Sequence, residues 1–259
     1  RLSILDRSIR GRVAIVTGAA QGIGAAVARR LVADRYAVVV TDRRDEITRI
    51  AAETGSIAHI GDVGDVDHVR HVVDTTVADL GPIAVLVNNA GEIWPTTATD
   101  SVDGIGGEFD RMFASNIRGA FLFGRHVVPS MIERGGGDIV NISTDHVLPG
   151  PGCDRHHGHG SMDLYNASKW ALNGLTFDWA RSLARHHVRV NNVCMGATDT
   201  EMLRNWMGPN IDPAMVATWM QPDDVAAVIS ELIAEGPNGR TADSVGLYAG
   251  QPCVLPPPL

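Results

Sequence analysis

Residues 12–34 read RVAIVTGAAQGIGAAVARRLVAD. A short apolar run with β-branched residues enters a glycine-studded loop, TGAAQGIG at 17–24. It leaves as an alanine- and arginine-rich stretch of helical composition. No other feature restricts the fold as much. A buried strand feeding a helix through a tight glycine turn is the first half of a βαβ unit, and such units build parallel sheets.

The same alternation continues along the chain. Buried-strand patterns at 36–41 (YAVVVT), 57–60, 83–87 (IAVLV), 138–142 (DIVNI) and 188–194 (VRVNNVC) are separated by helical patterns at 66–80, 109–133, 165–184 and 223–235. Gly135-Gly136-Gly137 stops one helix, and Pro222 with an acidic first turn starts another. The expected fold class is α/β: one doubly wound Rossmann-type domain over residues 1–259, a parallel sheet with helices on both faces. Residues 1–10 read as a tail.

The glycine loop has a chemical reading of its own. At a strand-to-helix turn, backbone N–H groups and the helix dipole favour a pyrophosphate. Gly18 lets the chain turn, Gly22 lets backbone approach phosphate, and Gly24 lets helix pack on strand, with Gln21 and Ile23 between them. Asp42, at the end of the second strand, is placed to accept from the adenosine ribose hydroxyls. Its carboxylate repels a 2′-phosphate and favours NAD over NADP, whereas Arg43 and Arg44 are suited to clamping that phosphate. Gln21 in the loop is not basic, which leaves the balance with NAD.

Bulk properties exclude other classes. A net charge of -8 over 259 residues argues against nucleic acid or an anionic membrane as partner. No run approaches the ~20 apolar residues of a membrane span, and residues 1–10 lack the layout of a secretion signal. The cysteines, at 153, 194 and 253, are odd in number and widely spaced. Free thiols in a reducing cytoplasm are the expectation. Of the 22 basic residues one is a lysine, Lys169, so 22 - 1 = 21 are arginines.

TGxxxGxG at the first turn, Asn88-Asn89-Ala90-Gly91 after the fourth strand and Tyr165-xxx-Lys169 occur in that order. Together they resemble the short-chain dehydrogenase/reductase family, over residues 12–250. The resemblance implies a catalytic tetrad of Asn116, Ser143, Tyr165 and Lys169. It implies that Asp62-Val63 contact adenine and that the loop of Asn88, Asn89, Ala90 and Gly91 lies beside the cofactor ribose. Gly196, Thr198 and Thr200 match an element near the nicotinamide whose usual proline is Met195 here. Tyr165, Lys169 and Arg43 complete the implied cofactor set. Partners in such a family are copies of the same chain, so a homotetramer or homodimer is implied, packed through the helices at 109–133 and 165–184.

The residues agree with that assignment. Tyr165 and Lys169 at i and i+4 share one helix face. A tyrosine near its ordinary pKa of ~10 is a poor base at neutral pH, and an ammonium one turn away favours its phenolate. A planar guanidinium cannot replace a compact ammonium there, in a chain whose other cations are all arginine. The expected function is NAD-dependent interconversion of a secondary alcohol and its ketone. Tyr165 serves as general acid/base, Ser143 holds the same oxygen, and Asn116 supports a proton-relay water. Alternatives are an NADPH-linked 3-oxoacyl (ACP or CoA) reductase and a non-catalytic dinucleotide-sensing regulator.

Two segments are expected to shape the substrate site. Residues 197–222 carry Met202, Leu203, Trp206, Met207, Met215, Trp219 and Met220, an adaptable apolar lid or else core-facing residues of short helices. Trp94 adds to this wall. A lid of that composition points to a hydrophobic or cyclic alcohol. Residues 144–164 form an insertion relative to the resemblance, containing Cys153, His156, His157 and His159. A metal would need ligands with tetrahedral reach. No helix places these, so the segment reads as a pocket rim or a solvated loop, with no metal expected.

Overall fold

A computed structural model of the chain describes residues 12–148 and 161–258. Seven strands form one sheet in the order β3-β2-β1-β4-β5-β6-β7, every neighbouring pair parallel. They are β1 (Val13–Thr17), β2 (Ala37–Asp42), β3 (Ile57–Ile60), β4 (Ile83–Asn88), β5 (Gly137–Thr144), β6 (Val188–Met195) and β7 (Ser244–Leu247). The strand order reverses between β1 and β4. There the connections leave in opposite directions and open a crevice at the strands' carboxyl ends, the usual ligand position in such sheets.

The helices pack on both faces. On one side α1 (Gly22–Ala33) and α9 (Pro222–Ala234) lie together over Ala14, Val16, Val38 and Val40. On the other, α3 (Val66–Leu80), α5 (Gly119–Glu133) and α6 (Asp163–Leu183) cover Val13, Ile15, Leu86 and Ile139. Alternate strand residues thus feed opposite cores, which is why the strands read as continuous apolar runs. Asp65 caps α3 by accepting from the Asp67 and His68 amides. Pro222 opens α9 with Asp223 and Asp224 in its first turn.

Several elements differ from the sequence reading. The helix expected at 109–133 begins earlier and is broken into α4 (Val102–Phe113), a π turn (Ala114–Arg118) and α5. The short α2 (Ile47–Thr54) and the edge strand β7 were not anticipated. The lid segment holds α7 (Glu201–Met207) and α8 (Pro213–Val216). Its apolar residues divide: Trp219 and Met220 are core, Leu203, Trp206 and Met207 are half-covered, and Met202 and Met215 are exposed. Cys153, His156, His157 and His159, and the tail at 1–10, lie outside the described residues.

Candidate active site

The two loops at the crevice are bound to each other. The Thr17 hydroxyl accepts from the amides of Asn89 (3.1 Å) and Ala90 (3.0 Å), and Asn89 Nδ2 donates to the carbonyls of Thr17 and Gly18. A Cβ on Gly18, whose φ is +65, would stand 2.6 Å from the Ala90 Cα. Only glycine permits that approach. Gly24 meets the Gly18 carbonyl equally closely, so α1 rests directly on the loop. Ile23 packs into the core beneath it.

This cradle fits a dinucleotide. No side chain caps α1, so its first N–H groups stay available, and the buried Gln21 Oε1 has no partner. Across from the loop, Thr200 lies against Gly22, while the Thr200 hydroxyl accepts from Leu203 N to start α7. Thr198 is buried and donates to the Gly196 carbonyl. Met195 closes β6, and Gly196 N donates to the Leu247 carbonyl, so the turn forms without the proline.

Asp42 is nearly buried. Its Oδ2 accepts from Ala20 N at 3.1 Å, and its Oδ1 from the Arg44 amide and guanidinium. Arg43 forms an ion pair with Glu92, just past the Asn-Asn-Ala-Gly turn. Glu92 also accepts from Trp94 Nε1 at 2.9 Å and faces Arg111, whose guanidinium covers the Trp94 ring. Asp62 Oδ1 accepts from Gly64 N, and Val63 is buried against Gly119.

The tetrad residues converge from three elements. Ser143 lies near the end of β5 and donates to Asn173 Oδ1 of α6 at 3.0 Å. Tyr165 and Lys169 sit one turn apart on α6, with Lys169 Nζ 5.6 Å from the Tyr165 ring centroid. Lys169 Nζ donates to the Ile142 carbonyl at 2.8 Å. Burial pushes the Tyr165 phenol up to about 12, only partly offset by the Thr144 side chain, and pushes the Lys169 ammonium down to about 8.

Asn116 occupies the π turn, a helix irregularity that often marks functional positions. Its Oδ1 accepts from Glu92 N at 2.7 Å, and its Nδ2 donates to the Glu92 carbonyl and to Ser168 Oγ. The carboxamide is thereby a brace between the loop after β4 and the turn of α6 that carries Lys169. A Cβ on Gly91 would sit 3.1 Å from Asn116 Oδ1 and 3.5 Å from Lys169 Nζ, so glycine keeps this corner open.

Beneath the site runs a polar ladder that the motifs do not reveal. Asn88, Asn141, Asn192 and Ser244 are register partners on β4 to β7. Asn88 Nδ2 donates to Asn141 Oδ1. The Thr176 hydroxyl accepts from Asn141 and donates to Asn192, and Asn192 Nδ2 reaches Ser244 Oγ. These buried amides fix α6 against the sheet, with the Asn88 Oδ1 at the end of the ladder left without a partner among the described residues. Beside Ser143, the Cys194 thiol is buried and pushed up to about 12, too high to be reactive. Among the described residues no group of histidine, cysteine and carboxylate side chains could hold a metal, and no helix is long and apolar enough to cross a membrane.

A family model described as short chain dehydrogenase matches residues 12–209. The chain is 33% identical over 260 residues to 4-formylbenzenesulfonate dehydrogenase of Comamonas testosteroni, covering 94% of this chain and 99% of that one. It is 35% identical over 230 residues to the 3-alpha-(or 20-beta)-hydroxysteroid dehydrogenase of Mycobacterium bovis, covering 87% and 83%. A short-chain dehydrogenase/reductase mutant of Serratia marcescens superposes with a TM-score of 0.80 at 27% identity, covering 93% and 98%. A 3-ketoacyl-(acyl-carrier-protein) reductase from Brucella melitensis complexed with NADH does so at 0.78 and 25%, covering 95% and 100%.

Proposed function

Because the chain belongs to the short-chain dehydrogenase/reductase family, we propose that it is an NAD-dependent dehydrogenase of a hydrophobic or cyclic secondary alcohol. The observation that carries this reading is the placement of Lys169 between the Tyr165 ring and the Ile142 carbonyl, beside Ser143. A bound nicotinamide dinucleotide supplies the hydride acceptor. Tyr165, as phenolate, takes the proton of the substrate hydroxyl, and Ser143 steadies the same oxygen. Lys169 favours the phenolate by its charge. Burial works against this, pushing the phenol up to about 12, so the phenolate depends on the charge of Lys169 and of the oxidised nicotinamide.

The loop of Gly18, Gln21 and Gly22 would hold the pyrophosphate and Asp42 the adenosine ribose. Preference for NAD is supported by what the two neighbouring arginines already bind. Arg44 is paired with Asp42 and Arg43 with Glu92. A 2′-phosphate would meet the Asp42 carboxylate and find both guanidiniums engaged.

A panel of secondary alcohols, with NAD and NADP compared and reduced nicotinamide followed, tests the reading. Oxidation of cyclic alcohols with higher kcat/KM for NAD is expected. No turnover with either cofactor would overturn it. Faster reduction of 3-oxoacyl thioesters with NADPH would favour the second reading; the likeness to the Brucella reductase, complexed with NADH, speaks for its substrate class alone.

Self-association is part of the same proposal. Phe109, Phe121, Ile132, Trp170 and Phe177 of α4, α5 and α6 are exposed, and apolar side chains of that size favour a protein partner. A dimer or tetramer by light scattering is the expected result.

A further inference from the structure

We propose that Asp145 reads the substrate by accepting a hydrogen bond from a second hydroxyl on the carbon next to the one oxidised, which makes the substrate a cyclic 1,2-diol. This deepens the alcohol-dehydrogenase reading and rests on it. Asp145 lies two residues past Ser143, in the turn (Asp145–Val147) that follows β5, and is only 7% exposed. Among the described residues no arginine or lysine pairs with it. The donors reaching its carboxylate are its own amide, the His146 amide and the Thr144 hydroxyl, the last on Oδ1 at 3.3 Å.

The other oxygen, Oδ2, faces Gly196, where a Cβ would lie only 2.7 Å away. Glycine at 196 therefore keeps room for this carboxylate between the ends of β5 and β6. Asp145 is also near enough to Tyr165, Cys194 and Tyr248 for its charge to oppose their ionisation. It belongs to the wall around the catalytic tyrosine.

A simple alcohol gives this carboxylate nothing. Burial raises its pKa, which the His146 ring and the Thr144 hydroxyl only partly offset, and its charge opposes formation of the Tyr165 phenolate. An apolar residue would serve a mono-alcohol better on both counts. His146 stands beside the carboxylate, its Nδ1 3.1 Å from Asn166 Oδ1 and its Nε2 3.9 Å from Asp145 Oδ1.

The chemistry balances without a further reagent. The carbinol C–H gives its hydride to the oxidised dinucleotide, and its O–H gives its proton to Tyr165. The carbon–oxygen double bond forms, and the second hydroxyl remains. The products are a 2-hydroxyketone and the reduced dinucleotide.

The test compares cis-cyclohexane-1,2-diol with cyclohexanol, using the wild type, Asp145→Asn and Asp145→Leu. The wild type is expected to favour the diol by about 100-fold or more in kcat/KM, because a site built to bond a hydroxyl rejects the analogue lacking it. Asp145→Leu should bring the two alcohols within about tenfold, and the isosteric Asp145→Asn should lie between. The diol should raise the melting temperature of the wild type with NADH, and not that of Asp145→Leu. Equal kcat/KM for the two alcohols in the wild type, or an unchanged preference in both variants, overturns the role of Asp145 alone. Absence of turnover of any secondary alcohol by the wild type overturns the underlying reading as well.

Discussion

Lys169 reaches from α6 to the carbonyl oxygen of Ile142, 2.8 Å away, and so ties that helix to the strand residue preceding Ser143. The same ammonium faces the Tyr165 ring. One side chain thereby sets both the spacing of Tyr165 and Ser143 and the charge felt by the phenol. Tyr165→Phe is expected to leave NAD affinity intact and to lower turnover by about 10³-fold or more. Turnover within about tenfold of wild type, ~1.4 kcal/mol in barrier, would remove Tyr165 from its role. Lys169→Arg should also be severely impaired, since a guanidinium fork cannot take the place of an ammonium held between ring and carbonyl.

The burial of Lys169 has a pH signature in stability. Its pKa falls from an ordinary 10.5 to about 8 in the folded chain. Between those values the unfolded chain binds a proton that the folded chain does not, so this contribution to stability rises with pH. The burial penalty is complete below pH 8. Lys169→Met removes it, and the variant's stability relative to wild type should be about 2 kcal/mol more favourable at pH 7 than at pH 10. Chemical denaturation at the two pH values measures the difference. An equal difference at both would show that Lys169 is not a buried cation.

The glycine turn, the strand–helix alternation and the Tyr165–Lys169 spacing are legible because each is local. A strand end, a turn and a helix face lie within a few residues of one another. What is missed depends on distant partners. The edge strand β7, with sequence SVGL, pairs only with β6, and nothing in four residues containing serine and glycine announces it. Asn141 and Asn192 are turn-formers by composition, yet they are fully buried in mid-strand because each finds an amide or hydroxyl across the sheet. Glu92 lies one residue beyond the Asn-Asn-Ala-Gly motif, and its importance appears only when Arg43 arrives from β2. The π turn at Asn116 interrupts an otherwise ordinary helical pattern. Asp145 belongs to no motif, and its burial against Gly196 appears only when β5 pairs with β6.

The Arg43–Glu92 pair gives a test of cofactor choice. Glu92→Gln removes the carboxylate that engages Arg43 and preserves the shape of the loop. A freed guanidinium near the adenosine ribose would attract a 2′-phosphate. The ratio of kcat/KM for NADP to that for NAD should rise by about fivefold or more, a change of ~1 kcal/mol. Trp94 Nε1 would then face a neutral amide in place of a carboxylate, so substrate KM should be recorded alongside. A ratio unmoved by the substitution would show that Arg43 does not reach the ribose when released.

Arg189 provides a stability test far from the chemistry. It is 5% exposed, stands 2.6 Å from Asp138 and donates to the Leu232 and Ile233 carbonyls near the end of α9. A cation there also interacts favourably with the negative end of the helix dipole. Desolvation outweighs Arg189 at Asp138 and pushes that carboxyl up to about 6 from its ordinary 3.8. The folded chain therefore holds the Asp138 proton more tightly, and this contribution to stability falls as pH rises through that window. Arg189→Met should cost about 3–5 kcal/mol at neutral pH, because it strands a buried carboxylate. Adding Asp138→Leu should recover a good part of that loss, since removing both partners of a buried pair is cheaper than removing one. Urea denaturation of the single and double variants decides it. A double variant no more stable than Arg189→Met would assign the loss to the α9 carbonyls rather than to the stranded charge.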